Sequence, residues 1–494
     1  MQIHLLHVND VHSQLESYMR LGHQLRTLRT SLVHQGDIVL TFDLGDVLDR
    51  VRPETEATMG VINVDMMAAL GVDGWVFGNN EGLTIPVESW PALTRHANTV
   101  VYGTNFRRPN GASDYFSDYH VYEREGIRIG VFGLTPNYTL PYDMLGVVAE
   151  DPFERAKAAV QDLRGAGCDV IVCLSHLGRR TDHQLAHEVA HVDVILGGHT
   201  HEFMTEPDWV NHTAIFQPGK HARMFGHTTI TLDVNNRVIG VSAVPVKVLL
   251  ETPYDERMEQ AYLDHCEVVS ETLHRCVATI AEPLPVVYER ESAFANLLAD
   301  VVYDEIPGDL CVMMTGALNA SLMPGDVELV HLLGACPTPT RPILVTLTGR
   351  ELIAVFNQGI QAGTYARHGI GFGFRGGQIG YLVVSGATID VTVGEGAPTV
   401  REIRIGGKRV EEEREYRVVT CEYLWLSPVF APFRNARDVT YQRPLVREVL
   451  LARLQDEGRM ERAKMPRYRY HRANVEEVAS GGPVIEKGNG RGDG

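Results

Sequence analysis

Up to about residue 250 the chain alternates short apolar runs with stretches in which apolar residues recur every three or four positions. The runs 3–8, 38–42, 75–77, 127–132, 170–174 and 194–196 read as strands, with helices such as 22–34 and 152–165 between them. Strand and helix in turn predict an α/β domain over 1–250. Within it, 212–250 has alternating short strands, Gly219, Gly226 and an Asn235-Asn236 turn, so antiparallel β is expected there. From Pro253, apolar Tyr262, Cys266, Val269, Leu273 and Cys276 recur at helical spacing, and Pro283 and Pro285 follow. That pattern predicts a connector helix within 251–285. A second α/β mixture spans 286–465, with strands near 310–315, 342–347, 381–385 and 416–421. A tail covers 466–494 and is expected to be disordered from about residue 474. Its Arg491-Gly492-Asp493 tripeptide reads as coincidence in a glycine-rich stretch.

A length of 494 residues exceeds what one core normally supports, so two or three domains are expected. No apolar run approaches the about 20 residues needed to span a bilayer. The start of the chain carries neither a basic region nor an apolar core of the secretory type. The seven cysteines are scattered and contain no C-x-x-C pair, which suits reduced thiols. Together these features lead to the expectation of a cytoplasmic protein with no membrane partner. The formal charge of −18, without a basic stripe, disfavours a nucleic-acid polymer but leaves room for a small anion beside a cation.

Chemistry enters at the ends of the predicted strands. Asp10-Val11-His12, Gly45-Asp46, Gly78-Asn79-Asn80-Glu81, Ser175-His176 and Gly197-Gly198-His199-Thr200-His201 each supply Asp, Asn or His there. One such residue alone is ordinarily a turn or cap residue. Five motifs at one edge of an α/β sheet, all of ligand type for divalent cations, point to a metal site in the crevice. Alternation along an extended chain would put Asp10 beside His12 and His199 beside His201. One cation would take Asp10, His12 and a member of the last pair. A second would take Asn79, His176 and the other member, with Asp46 able to bridge. His183, His187 and His191 lie four apart and read as helix-surface residues, and His4 and His7 as structural ones.

The motif set resembles the calcineurin-like metallophosphoesterases. The order of domains resembles the UshA-like branch of bacterial 5′-nucleotidases and 2′,3′-cyclic-nucleotide phosphodiesterases, within it a YunD-like cytosolic subgroup. The likeness runs from residue 3 to about residue 450. In the second domain it rests on Glu291-Ser292, Asn296-Leu297-Leu298-Ala299-Asp300, Gly316-Ala317-Leu318 and Leu347-Thr348-Gly349-Arg350-Glu351-Leu352. The resemblance implies a four-layer α-β-β-α sandwich of metallophosphoesterase type, followed by a C-terminal α/β domain of 5′-nucleotidase type. It implies that Asp10, His12, Asp46 and His201 hold one divalent ion, and Asp46, Asn79, His176 and His199 the other. Manganese, zinc, iron or cobalt would each suit such ligands. The implied reaction is in-line attack on phosphorus by a hydroxide that the two cations share. Asp43, Asp49 and Glu81 are candidates for orienting the imidazoles.

The chain departs from the family pattern at places that matter. Members read Gly-Asn-His-Glu where this chain has Gly78-Asn79-Asn80-Glu81, and Leu83 replaces the Asp that orients that histidine. Asn80 therefore takes the catalytic position without a proton to transfer. His221 is one candidate to supply it. In the second domain Asn319 stands where the family has an arginine, and Ala335-Cys336-Pro337-Thr338 replaces Pro-Phe-x-Asn. Tyr381 and Phe430 map to the rings that sandwich a nucleobase, and Arg375 lies in a glycine-rich loop where it can meet a phosphate or ribose. The expected activity is hydrolysis of small organic phosphates, nucleotides first (5′-mono- or 2′,3′-cyclic). Cleavage of a dinucleotide or nucleotide-sugar pyrophosphate, and a catalytically weak metal-containing sensor, are the alternatives.

Overall fold

In the computed structural model, residues 1–107, 115–371 and 373–472 are described, so the tail from about 474 lies outside them. Two compact units result. The first holds Met1–Thr279, Gly325–Pro339 and Thr440–Arg443, and the second Ile280–Pro324, Thr340–Val439 and Pro444–Gly494. The units are therefore not contiguous blocks of sequence.

The first unit is built on two six-stranded sheets. In one, Gln2–Val8, Ile38–Asp43, Gly74–Val76 and Val100–Tyr102 run parallel, and Met224–Leu232 and Val238–Lys247 extend it antiparallel. In the other, Ile127–Leu134, Val170–Ser175, Val194–Gly197 and Thr213–Phe216 run parallel between antiparallel edges His120–Arg124 and Asp208–Val210. The region expected as uniform antiparallel β thus feeds both sheets, and Thr213–Phe216 pairs parallel with Val194–Gly197. Local alternation fixes which face a residue takes but not which strand it joins.

Three apolar layers follow from the two-residue period of the strands. Leu5, Leu40, Phe42, Ile129, Val131, Val172, Leu174 and Leu196 pack between the sheets. Leu6, Val8 and Phe77 point the other way, against Leu15, Leu25, Met67 and Leu93 from helices Leu15–His34, Val61–Leu70 and Trp90–Ala97. On the far side Phe132, Ile171, Cys173 and Ile195 meet Ala156, Leu163 and Leu185 from helices Pro152–Gly165 and Arg179–Glu188. The order of layers is α-β-β-α.

The segment expected as one connector helix is two helices, Glu256–Leu263 and Cys266–Leu273, followed by strand Cys276–Ile280, which pairs with Gly325–Glu328. The break falls at Asp264 and His265, where His265 Nε2 lies 2.7 Å from the Asp65 carboxylate of another helix. Past it, β-branched Val277, Thr279 and Ile280 favour a strand over a further helical turn.

The second unit has a mixed sheet, ordered Leu382–Ser385, Leu310–Met314, Glu415–Cys421, Pro342–Thr348 and Arg437–Tyr441. Helix Gly349–Gly359 starts on a reciprocal cap between Thr348 and Glu351. Tyr468–Arg472, expected as the start of a tail, is a strand parallel to Ala387–Val393. The Glu291 carboxylate accepts the backbone N–H groups of Arg467 and Tyr468 and anchors its start. Among the described residues no helix is long and apolar enough to cross a membrane.

Candidate metal centre

The loops that follow the parallel strands are stitched to one another by their backbones. Asp10 N donates to Gly45 O, His12 N to Asp46 O and Ser13 N to Val47 O, at 3.1, 2.9 and 3.1 Å. His221 N donates to Asp10 O at 2.8 Å. Asp10, His12, Ser13, Asp46, His199, His201 and His221 all adopt positive φ, between 46° and 72°. Non-glycine residues rarely sit there, and such strain gathers where side chains must be aimed. Asp10 and His12 thus meet through left-handed backbone, not through the extended alternation expected from the sequence. Gly45 takes φ +99°, and a Cβ there would stand 2.8 Å from Gly78 Cα, so the two loops need glycine where they touch.

The result is two groups of side chains, Asp10 with His12 and His201, and Asp46 with His176 and His199. Within each, the ligand atoms lie within 4.8 Å of one another. Nε2 of His12 is 3.0 Å from Nε2 of His201, and Oδ1 of Asp10 lies 3.7 and 3.3 Å from these two atoms. Asp46 serves both groups, with Oδ1 3.3 Å from His176 Nε2 and Oδ2 3.9 Å from His12 Nε2. His199 and His201 diverge, one to each group.

Several features fit divalent cations. Asn79 Oδ1 is buried with no hydrogen-bond partner, and so is His176 Nε2, which at 3.3 Å from Asp46 is not aligned for a bond. Stranded buried polar atoms are costly unless something meets them. His176 Nδ1 lies 2.7 Å from Leu44 O and donates to it, which leaves the Nε2 lone pair for a cation. Charge points the same way. Burial works against protonated His176, yet the Asp46, Asp10 and Glu81 carboxylates push it up to about 10. Burial opposes charge on Asp10 too, yet its contacts with His12 and His201 hold it well below the usual carboxylate range. Burial and His176 instead lower His199 to about 4.

The supporting residues differ in part from expectation. Asp43 touches no imidazole; Oδ1 accepts Gly45 N at 3.0 Å and Oδ2 the Tyr18 hydroxyl at 3.4 Å. Asp49 Oδ2 is 4.0 Å from His12 Nδ1. Glu81 is fully buried and accepts the N–H groups of Asp46 and Leu48 at 3.0 and 3.3 Å, so it holds the loop that carries Asp46. Asn80 N donates to Asp46 Oδ1 at 2.8 Å, while its side-chain Nδ2 lies 3.0 Å from His12 Nδ1. The His221 ring stands edge-on to His12, with centroids 5.8 Å apart.

Two neighbours escaped the sequence reading. Lys220 Nζ donates to His201 Nδ1 at 3.1 Å, and the Tyr138 hydroxyl lies 3.1 Å from His199 Nε2. Burial, with the Asp46 carboxylate, pushes the Tyr138 phenol up to about 12. Tyr138 follows Ile127–Leu134, so the strand-end rule that found the histidines would have reached it. Two of the three spaced histidines, His183 and His187, lie four apart on helix Arg179–Glu188 as expected. His183 pairs with Asp208 at 2.8 Å, and His191 lies beyond the helix end at Glu188.

In the second unit the structure brings Asn319 and Arg375 together on the surface, where Asn319 Nδ2 donates to Arg375 O at 3.0 Å. The expected aromatic sandwich is not formed. Phe430 is 0% exposed and Tyr381 3%, with its hydroxyl 3.1 Å from that of Tyr470. Both rings are core, and neither presents a face to a base, because closing this unit's core covers them.

Comparison with known proteins agrees with the geometry. The calcineurin-like phosphoesterase family matches residues 3–203, and the 5′-nucleotidase C-terminal domain matches 276–427. Metallophosphoesterase YunD of Bacillus subtilis is 31% identical over 91% of this chain and 98% of its own. The 5′-nucleotidase of Vibrio cholerae is 24% identical, over 84% of this chain and 82% of its own. In fold, NAD nucleotidase of Haemophilus influenzae superposes with a TM-score of 0.69 at 14% identity, covering 96% of this chain and 100% of that one. The chain therefore belongs to the calcineurin-like metallophosphoesterases that carry a 5′-nucleotidase C-terminal domain, and is a metal-dependent phosphoester hydrolase.

Proposed function

We propose that this protein hydrolyses small organic phosphates, with nucleotides (5′-mono- or 2′,3′-cyclic) favoured, at a pair of divalent cations held by Asp10, His12, Asp46 and His201 and by Asp46, Asn79, His176 and His199. The observation that carries the reading is Asp46, whose two oxygens face the two groups separately. Divalent cations at such a pair supply Lewis acidity and lower the pKa of water. Manganese, zinc, iron or cobalt suits the donors. The protein's own part is positional. Backbone N–H groups of Asn80 and His199 hold the Asp46 and Asp10 carboxylates in place, and Glu81 fixes the turn that carries Asp46. Nucleotide preference rests on the relatives, whose names include 5′-nucleotidase. The exposed pair Asn319 and Arg375 is proposed as a polar contact for substrate.

One observation favours a second reading, a pyrophosphate substrate such as a dinucleotide or nucleotide sugar. Asn80 has no proton to give, and a phosphate leaving group needs one less than an alkoxide does. Seven scattered cysteines, five of them buried, suit a reducing compartment, and we place the enzyme in the cytoplasm. The test is hydrolysis by metal-stripped protein reloaded with manganese or zinc, beside an Asp46→Asn control. The panel holds nucleoside monophosphates, 2′,3′-cyclic nucleotides, a phosphodiester and nucleotide-diphosphate sugars. Turnover that requires both metal and Asp46 supports the reading and ranks the substrates. A panel without turnover on protein that still binds two metals would favour the sensor alternative.

A further inference from the structure

A phosphoesterase needs donors for the charge on phosphorus-bound oxygens, and the residue at position 80 is turned away to His12. Tyr138 stands beside His199 at the candidate centre. The residue is 40% exposed and belongs to none of the apolar layers. Its hydroxyl lies 3.1 Å from His199 Nε2, with the ring centroids 6.3 Å apart and tilted. A phenol has one O–H to donate, and the Nε2 lone pair of His199 accepts it in the tautomer that carries its proton on Nδ1. A cation on His199 would claim that lone pair and leave the O–H to seek the nearest new acceptor. A phosphate bound there would offer anionic oxygens as that acceptor.

We infer that Tyr138 is a catalytic hydrogen-bond donor: its O–H contacts a phosphoryl oxygen of the bound substrate and replaces part of the stabilisation that the family's histidine would provide. The inference rests on the phosphoester-hydrolase reading given above. Tyr138 keeps its proton throughout. The leaving oxygen takes its own from water, so no redox or covalent step is added.

The test compares the manganese-loaded protein with a Tyr138→Phe variant, which keeps the ring and removes only the hydroxyl. Metal content, calorimetric affinity for inorganic phosphate, and steady-state hydrolysis of a nucleoside monophosphate are read side by side. Expected are unchanged metal content, phosphate affinity lower by about 5–10-fold, and kcat lower by about 10–100-fold. Loss of metal from the variant would overturn the inference, since Tyr138 would then only position His199. Unchanged phosphate affinity and kcat would overturn it as well. A wild-type protein that hydrolyses no phosphate ester, yet binds phosphate in a Tyr138-dependent way, would defeat the functional reading and leave the Tyr138 contact standing.

Discussion

The side-chain amide of Asn80 stands 3.0 Å from Nδ1 of His12, and the same Nδ2 donates to Leu48 O at 3.1 Å. The residue that replaces the family's histidine therefore backs a candidate metal ligand. An imidazole that gives Nε2 to a cation carries its proton on Nδ1 and needs an acceptor there, which a half-turn of the amide would supply at the loss of its bond to Leu48 O. Asn80→Ala is expected to weaken metal binding by about 10–100-fold, read by titration against a chelating indicator. Asn80→His is expected to lower activity, because the larger ring does not fit between His12 and Leu48 as the amide does. A sharp gain in alkyl phosphoester hydrolysis would show instead that the native amide merely limits proton transfer.

Glu81 holds two buried backbone N–H groups at the base of the Asp46 turn. Glu81→Ala strands both, at a cost of about 2–3 kcal/mol. Urea unfolding of the metal-free variant measures this, and a midpoint equal to wild type would refute the anchoring role.

Metal removal should destabilise as well as inactivate. Cations that bind the folded chain alone add about 2.7 kcal/mol at a hundredfold excess over Kd. Chelation is therefore expected to lower Tm in a scan, and manganese to restore it in proportion to the logarithm of its concentration. In Asp46→Asn, which unlinks the groups, that restoration should shrink.

His7 predicts a response to acid. Both of its ring nitrogens are buried without partners, and burial, then His227, lower its pKa to about 3. The unfolded imidazole titrates near 6.5, so the unfolded chain binds this proton more tightly. Stability is full above about pH 6.5 and falls as pH drops towards 3, by up to about 1.4 kcal/mol per pH unit. Urea midpoints at pH 7.5 and 5 in wild type and His7→Leu check this. The variant should lose less stability over the same interval, and equal losses would assign the acid response to other groups.

Much of the architecture is legible in the chain. Each of the six strands expected before residue 200 forms, because a buried run or a two-residue alternation needs only its own residues to declare itself. The motifs after Val8, Asp43 and Val76 follow neighbouring parallel strands of one sheet, and those at Ser175 and Gly197 follow neighbouring parallel strands of the other, so the single edge expected from the sequence is two edges. Other features depended on partners distant in sequence. The break at His265 answers to Asp65, and strand Thr213–Phe216 found Val194–Gly197.

By itself, then, the sequence determined the strands of the first domain and the set of donors at their ends, since these follow from periodicity, while the layer order came only with the resemblance of its motifs to the metallophosphoesterases. Only the tertiary structure decided how those donors are used. Left-handed backbone at Asp10, His12, His199 and His201 sorts them into two groups. Closure of a core withdraws Tyr381 and Phe430, and loop packing turns Asn80 to His12 while leaving Tyr138 at the mouth beside His199. The physical reason is that a side chain's direction is set by what its backbone and neighbours permit, and those neighbours meet only when the chain has folded.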